Sequence, residues 1–398
     1  MPVPVSASAT TIPAPRSRPA LLPRPVLRPL RPSLPDRLDC LTSLRFFAAF
    51  AVFTHHFTGL GNHTGYGTAP LVFPYSLIGG HGVTFFFVLS GFLLSWGHRP
   101  GQHIGAFYWR RVARIWPATL AVVPLAVYAF YVLPGKDIDW SSLLASVFLV
   151  QSWFPGVTPN LPGNGPTWTL GAELFFYALF PLVIRWARRT RTGTLLTVSG
   201  LGLVAMFAAG LVSDAYLDGP TASWVQRHPV YFFPQFVLGL TFALALRRGW
   251  RVPVRPAVPL LALALVTYGY YQGKARCAPE VVAYLDAAVR PVLAVLAVLI
   301  VVAFAQREAA GHRGVLQSRA MVLLGVWSYS FYLVHHAVNR VLIDRWGRGD
   351  DDNSVLIDLL GVAVISLTLS WVVYRYVEDP AARWLNRRVP KRWRTART

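Results

Sequence analysis

The chain has 398 residues, 54% of them hydrophobic and only 14% charged, with a mean hydropathy of +0.43. A soluble domain carries about 25% charged residues, so this composition excludes an ordinary water-soluble globule and points to a membrane protein. The net charge of +21 raises the question of a nucleic-acid partner. The arginines argue against one, because they cluster at the ends of apolar runs and form no basic face.

Residues 1–38 hold ten prolines and six arginines with a single acid, Asp36. They lack the apolar core of about 7–15 residues that a signal peptide needs, and are expected to form a disordered cytoplasmic tail. Apolar runs then follow at 42–60, 77–97, 116–134, 168–187, 194–213, 230–246, 257–271, 289–305, 320–340 and 355–377, each long enough, or nearly so, to cross a bilayer. The connections at 98–115, 188–193, 247–256 and 306–319 and the C-terminal end are basic ("RRVAR", "RRTR", "RRGWR", "RGVLQSR", "RRVPKRWRTAR"). The positive-inside rule therefore puts them, with both termini, in the cytoplasm. The expected fold is an all-α polytopic membrane protein of about ten transmembrane helices, with a membrane domain at 39–380 and a basic tail at 381–398. The run "SLLASVFLV" at 142–150 is taken as re-entrant or interfacial, since counting it as a span would place Arg185, Arg188, Arg189 and Arg191 outside. Cys40 and Cys277 fall on opposite sides, so no disulfide is expected.

The first span, "LTSLRFFAAFAVFTHHF", carries Arg45 near its inner end and His55 and His56 near its outer end. At about 100° per residue, eleven steps return Arg45 and His56 to one helix face, while His55 points elsewhere. At about 1.5 Å per residue the two lie roughly 16 Å apart along the axis. Ionisable groups inside a span mark a pathway or a reactive site. The alternative is an arginine that snorkels to the inner headgroups and a hydrogen-bonded interfacial histidine.

Glu173 lies about two turns into the span that begins "GNGPTWTLGAELFFYALFPL", and His335 and His336 lie near the outer end of the span containing "SYSFYLVHHAV". Counting residues inward places His56, Glu173 and His335 at similar depth in the outer third of the membrane, as a shared polar site. A histidine beside a carboxylate is set up as a general base toward a weak acid such as an alcohol. At the inner face, "FYWRRVARIWP" presents Arg110, Arg111 and Arg114 at helical spacing, a cluster suited to phosphates through bidentate hydrogen bonds. Arginines at a cytoplasmic helix end are also what the positive-inside rule gives without any ligand. No metal site is expected, because the adjacent histidines at 55–56 and 335–336 point in different directions.

Taken in order, Arg45 with His56, "FFFVLSGFLLSW" at 85–96, "RRVARIWP" at 110–117, "PTWTLGAELFFYALFP" at 166–181 and "SYSFYLVHH" at 328–336 resemble the acyltransferase-3 family of integral membrane O-acyltransferases. The resemblance runs from about residue 39 to 380. It implies a ten-helix domain that takes an acyl group from cytoplasmic acyl-CoA, a co-substrate rather than a bound cofactor, and places it on a hydroxyl, usually of a sugar. It further implies that Arg45 and His56 are required, that Arg111 and Arg114 bind the donor, and that Glu173 is essential. Thr169 in the "WTL" element is a mild variation. The stretches "SVFLVQSWFPG" and "WTLGAELFFYALFPL" look closest to the branch that acylates sugars of macrolide antibiotics.

On this basis His56 takes the proton of the acceptor hydroxyl, Glu173 orients His56, Arg111 and Arg114 hold the nucleotide phosphates, and Arg45 lines the path of the pantetheine arm. Ser90, Trp168 and His335 are further candidates to line the site. No G-x-S-x-G elbow occurs, so "SG" at 90–91 is taken as a small-residue packing contact, with an acyl-enzyme on Ser90 as the minor alternative. The acceptor is a glycosylated small molecule or, alternatively, an envelope glycan or lipid-linked sugar. A proton-coupled transporter using the buried His and Glu is the alternative of another class, although no repeat relates the two halves.

Overall fold

The computed structural model describes Pro35 and residues 37–59, 72–348 and 351–393. The tail expected at 1–38 lies outside the described residues except for Pro35, Arg37 and Leu38. Every regular element among the described residues is helical. Apolar runs bounded by arginine, glycine and proline become α1 (Asp39–Thr58), α2 (Phe73–Gly79), α3 (Gly82–Trp96), α4 (Ile104–Val127), α5 (Trp140–Val147), α6 (Trp168–Arg189) and α7 (Thr192–Tyr216). They continue as α8 (Gly219–Val225), α9 (Pro229–Arg247), α10 (Ala257–Arg276), α11 (Pro279–Ala309), α12 (Arg319–Trp346), α13 (Asp352–Val373) and α14 (Asp379–Arg387). Two π turns, Tyr128–Val132 after α4 and Tyr374–Glu378 between α13 and α14, carry the chain on without a break.

Among the described residues, eight helical stretches are long and apolar enough to cross a membrane, and the protein is a multi-pass membrane protein. Each of the ten expected runs is helical, the run 77–97 being shared between the end of α2 and α3. The two outside the set of eight are α1 and α10, which have 20 residues each, about 30 Å at the α-helical rise, but carry ionisable residues within that length. The segment at 142–150 does not cross: α5 has only 8 residues. Just beyond its end stands Leu149, held at φ 62°, whose carbonyl is so close to Gly171 that a Cβ there would sit 2.7 Å from it. The short helix thus turns back and braces the start of α6.

Bilayer lipid is as apolar as leucine, so helices in it hold together by close packing and polar contacts. The tightest contact is between α3 and α9. A Cβ on Gly91 would meet the Phe236 carbonyl oxygen at 1.9 Å, and one on Gly239 would meet that of Val88 at 1.9 Å. The "SG" step is thus a packing contact, and it leaves the neighbouring Ser90 facing away from α9. Helix α1 lies between α12 and α3. Its first turn is capped by Glu308 of α11, whose carboxylate accepts from the Asp39 and Cys40 amides at 2.7 and 2.8 Å, satisfying N–H groups that a helix start leaves without partners. The basic segment after residue 380 folds back on α4 as far as Trp393. Trp109 Nε1 donates to the Leu385 carbonyl at 2.8 Å, and Trp393 stacks on His103. Cys40 and Cys277 are both free.

Candidate active site

A cavity of about 140 Å3, partly open to the surface, lies between α1, α3, α4, α6 and α12, lined by Arg45, Ser90, Arg111, Arg114, Glu173 and Tyr177, with Thr169, Ser328, Tyr329 and Tyr332 among the remaining, mostly apolar side chains. Its charged members and the two hydroxyls beside Glu173 come from four helices. Arg45 enters from α1, Ser90 from α3 beside the glycine contact, Arg111 and Arg114 from one face of α4, and Glu173 and Tyr177 from successive turns of α6.

The Glu173 carboxylate accepts from Ser90 Oγ at 3.1 Å and from the Tyr177 hydroxyl through one oxygen. Arg111 lies over the rings of Phe107 and Tyr177, 5.6 and 5.5 Å from their centres. Arg114 Nη1 is paired with Glu378 Oε1 at 2.6 Å and lies over Tyr329. Glu378 itself is 1% exposed, and its other oxygen accepts from Ser330 Oγ at 2.6 Å. Three guanidiniums thus face two carboxylates, and the surplus positive charge in a low-dielectric pocket favours an anionic or strongly polarised ligand.

His56 lies outside this cavity. Its Nδ1 is 3.0 Å from Nε2 of His335, and Nδ1 of His335 is 3.1 Å from the Phe331 carbonyl. His336 stacks on His56 with ring centres 4.4 Å apart. His55 turns the other way, with Nδ1 3.0 Å from the Ser76 carbonyl, as the 100° step requires. Tyr332 joins the two layers: its ring lines the cavity and lies 5.7 Å from that of His335, while its hydroxyl is held by Thr169 Oγ1 and the Pro166 carbonyl at 2.8 and 3.0 Å.

Several expectations change. Glu173 does not hydrogen-bond His56; it sits with Arg45 in the cavity, one layer further along. The reason is where α6 starts. Gly165, just before it, already packs beside His336, so eight further residues carry Glu173 about 12 Å past the histidine level. Depth counted from the end of an apolar run missed this offset. Arg110 is not among the residues lining the cavity, so the expected three-arginine cluster of one helix is replaced by Arg111, Arg114 and Arg45. Trp168 packs against Phe232 and lines the cavity no more than His335 does; its neighbour Thr169 takes that place. Ser90 does line it, as a donor to Glu173.

Two residues escaped the sequence reading. Tyr177 had a visible signal, since it stands four residues after Glu173 and so on the same face. Glu378, in "RYVEDP", has the look of an interfacial charge; only the π turn before α14 rotates it inward to Arg114. Among the described residues no group of three potential metal ligands is assembled. Both His335 nitrogens are occupied by His56 and the Phe331 carbonyl.

Fold and cavity together define a polytopic membrane protein with an arginine-rich pocket between its helices and a histidine pair above it. The acyltransferase domain of the acyltransferase-3 family matches residues 38–375. The chain belongs to that family and is an acyltransferase; the transporter reading is set aside. It is 31% identical to "Acyltransferase MdmB" of Streptomyces mycarofaciens over 376 residues, covering 89% of this chain and 94% of that protein. It is also 30% identical to "Exopolysaccharide production protein ExoZ" of Rhizobium meliloti (strain 1021) over 65% of this chain and 76% of that one. An "O-acetyl transferase" of Shigella phage Sf6 is 24% identical over 58% of this chain and 70% of its own length. No solved structure matches.

Proposed function

We propose that this chain is an acyl-CoA-dependent O-acyltransferase with ten membrane spans and cytoplasmic termini, acting on a sugar hydroxyl of a glycosylated small molecule such as a macrolide. The observation that carries the proposal is the convergence of Arg45, Arg111, Arg114 and Glu173 on one cavity between the helices, separated by the Tyr332 layer from the histidine pair. A narrow cationic cavity suits the arm of a thioester donor whose acyl end extends to the histidine layer, and guanidiniums at its α4 side suit the donor phosphates. The likeness of "SVFLVQSWFPG" and "WTLGAELFFYALFPL" to the branch that acylates macrolide sugars supports the small-molecule acceptor.

In the reaction the acceptor oxygen attacks the thioester carbonyl while His56 Nε2 takes its proton. The carbon–sulfur bond breaks, and the thiolate leaves with a proton returned from the imidazolium as CoA thiol. Arg45, roughly 16 Å from His56 along α1, lines the path of the pantetheine arm rather than the reacting carbonyl. Glu173 fixes Ser90 and Tyr177 and balances Arg45, rather than touching His56. The similarity to the exopolysaccharide protein and the phage O-acetyl transferase favours a second acceptor class, an envelope or polymer-linked sugar.

The test is transfer of label from radiolabelled acetyl-, propionyl- and longer acyl-CoA to a panel of glycosylated macrolides and envelope sugars by purified protein, beside His56→Ala and Glu173→Ala. Label that reaches a macrolide sugar only with both residues intact supports the proposal. Equal transfer by both variants overturns the residue assignment, and label that reaches only envelope sugars moves the acceptor to the second class.

A further inference from the structure

The two histidines above the cavity form a directed chain, and its direction follows from one atom that can only accept. The Phe331 carbonyl has no proton to give, so the 3.1 Å contact requires Nδ1–H on His335. A neutral imidazole carries one proton, which leaves Nε2 of His335 as a lone pair. The 3.0 Å contact from that atom to His56 Nδ1 then requires the proton of His56 to be on Nδ1, and the lone pair of His56 falls on Nε2. The Val52 carbonyl, one turn back on α1, is the other hydrogen-bond partner of the His56 ring. His335 is completely buried, and its ring is held by Phe53, Phe331 and Tyr332, so it cannot turn to offer the other nitrogen. The backbone of His56 is fixed as well, since Asn339 Nδ2 donates to its carbonyl at 3.0 Å.

We infer that His335 is the positioning residue for His56: through the fixed Phe331 carbonyl it selects the Nδ1–H tautomer of His56 and so makes Nε2 the base. This gives His335 the orienting part that a carboxylate plays in a Ser-His-Asp triad, here filled by a neutral imidazole anchored on a helix carbonyl. A neutral orienter stabilises the imidazolium less than a carboxylate would, and it avoids burying another charge in the bilayer. The inference rests on the proposed role of His56 as the base, and the experiment separates the two.

Full-length protein in detergent, with ring-15N-labelled histidine, reports tautomers directly, and His56 is assigned by the signal lost in His56→Ala. The expected result is Nδ1–H for His56 in the unaltered protein, retained in His335→Gln, whose Oε1 can accept in place of Nε2, and lost toward Nε2–H in His335→Ala. With radiolabelled acetyl-CoA and the acceptor that works best in the panel, His335→Ala should lose about 30-fold in kcat with KM for acetyl-CoA within about twofold, and His335→Gln should recover most of the loss. An Nε2–H His56 in the unaltered protein overturns the inference, and so does a His335→Ala enzyme with unchanged tautomer and rate. If His335→Ala does not fold, the unaltered protein and His335→Gln still decide. Undiminished transfer by His56→Ala removes the proposed base instead, whatever the tautomer.

Discussion

Arg114 of α4 and Glu378 of the π turn before α14 form an ion pair at 2.6 Å in which the carboxylate is almost wholly buried. One end of this pair faces the cavity and the other is locked to Ser330, so Glu378 sets where the Arg114 guanidinium points. Glu378→Gln keeps the volume and loses the charge. We expect it to raise KM for acetyl-CoA about tenfold, equivalent to about 1.4 kcal/mol of donor binding, with kcat changed much less. Steady-state kinetics checks this, and a fall in kcat at unchanged KM would show that the pair does not serve donor binding. Arg114→Gln combined with Glu378→Gln should cost less than the sum of the two, because the single changes each leave a charge unpaired.

The hydroxyl of Tyr177 is one of two donors to Glu173. Tyr177→Phe retains the ring under Arg111 and removes that donor, at a net cost of about 1.5–3 kcal/mol for a bond to a charged acceptor. Activity should fall about tenfold or more while the folded protein persists, and Ser90→Ala should fall less, its bond being longer. Near-normal transfer by Tyr177→Phe would mean that the position of Glu173 does not depend on it.

At the α3–α9 contact the backbones touch. Gly91→Ala puts a methyl 1.9 Å from the Phe236 carbonyl oxygen, and neither partner is a side chain that can swing aside. The helices must part, at a cost of about 1–3 kcal/mol or more, and Ser90 moves with them. Gly91→Ala should lower the melting temperature in detergent by several degrees and reduce activity. Gly200→Ala on α7 meets nothing within 4 Å and should be neutral or slightly stabilising, since alanine is the better helix former by about 1 kcal/mol.

Outside the membrane, Asp139 caps α5. Hydrogen bonds from the side chains of Ser142 and Ser141 and from the Ser141 amide hold its carboxyl down to about 2. A carboxyl lowered by folding contributes stability above its unfolded pKa and loses it as pH falls toward the folded value. Amide protection at Ser141 and Ser142, measured by hydrogen exchange, should therefore be flat from pH 8 to about 5 and decline below about 4. In Asp139→Ala it should be low throughout, and a profile matching that of the unaltered protein would remove the cap from the account.

The helices were legible because a bilayer leaves the backbone few other choices, and every long apolar run became one. Rotation about a helix was legible too: Arg45 and His56 share a face and His55 does not. Depth between helices was harder. Nothing in the run containing Glu173 says that Gly165 packs at the level of His336, so counting along the run places the carboxylate in the wrong layer. Glu378 was hidden for a related reason, since a π turn shifts a side chain around the axis by an amount that 3.6-residue periodicity does not anticipate. The partner of His56 needed no unusual signal. His335 is plain in the sequence as half of a histidine doublet, and only the direction of its hydrogen bonds is not.

Helix α1, fastened at its base by Glu308, acts as a ruler. It carries the cavity arginine at one mark and the base at another, and the interval between them is fixed by regular backbone rather than by loops free to adjust. One extra residue between Arg45 and His56 would lengthen that interval by only about 1.5 Å yet swing the imidazole by about 100°, away from His335. The spacing is thus digital: the chain can exchange side chains along this helix, but it cannot add or remove one between the two marks.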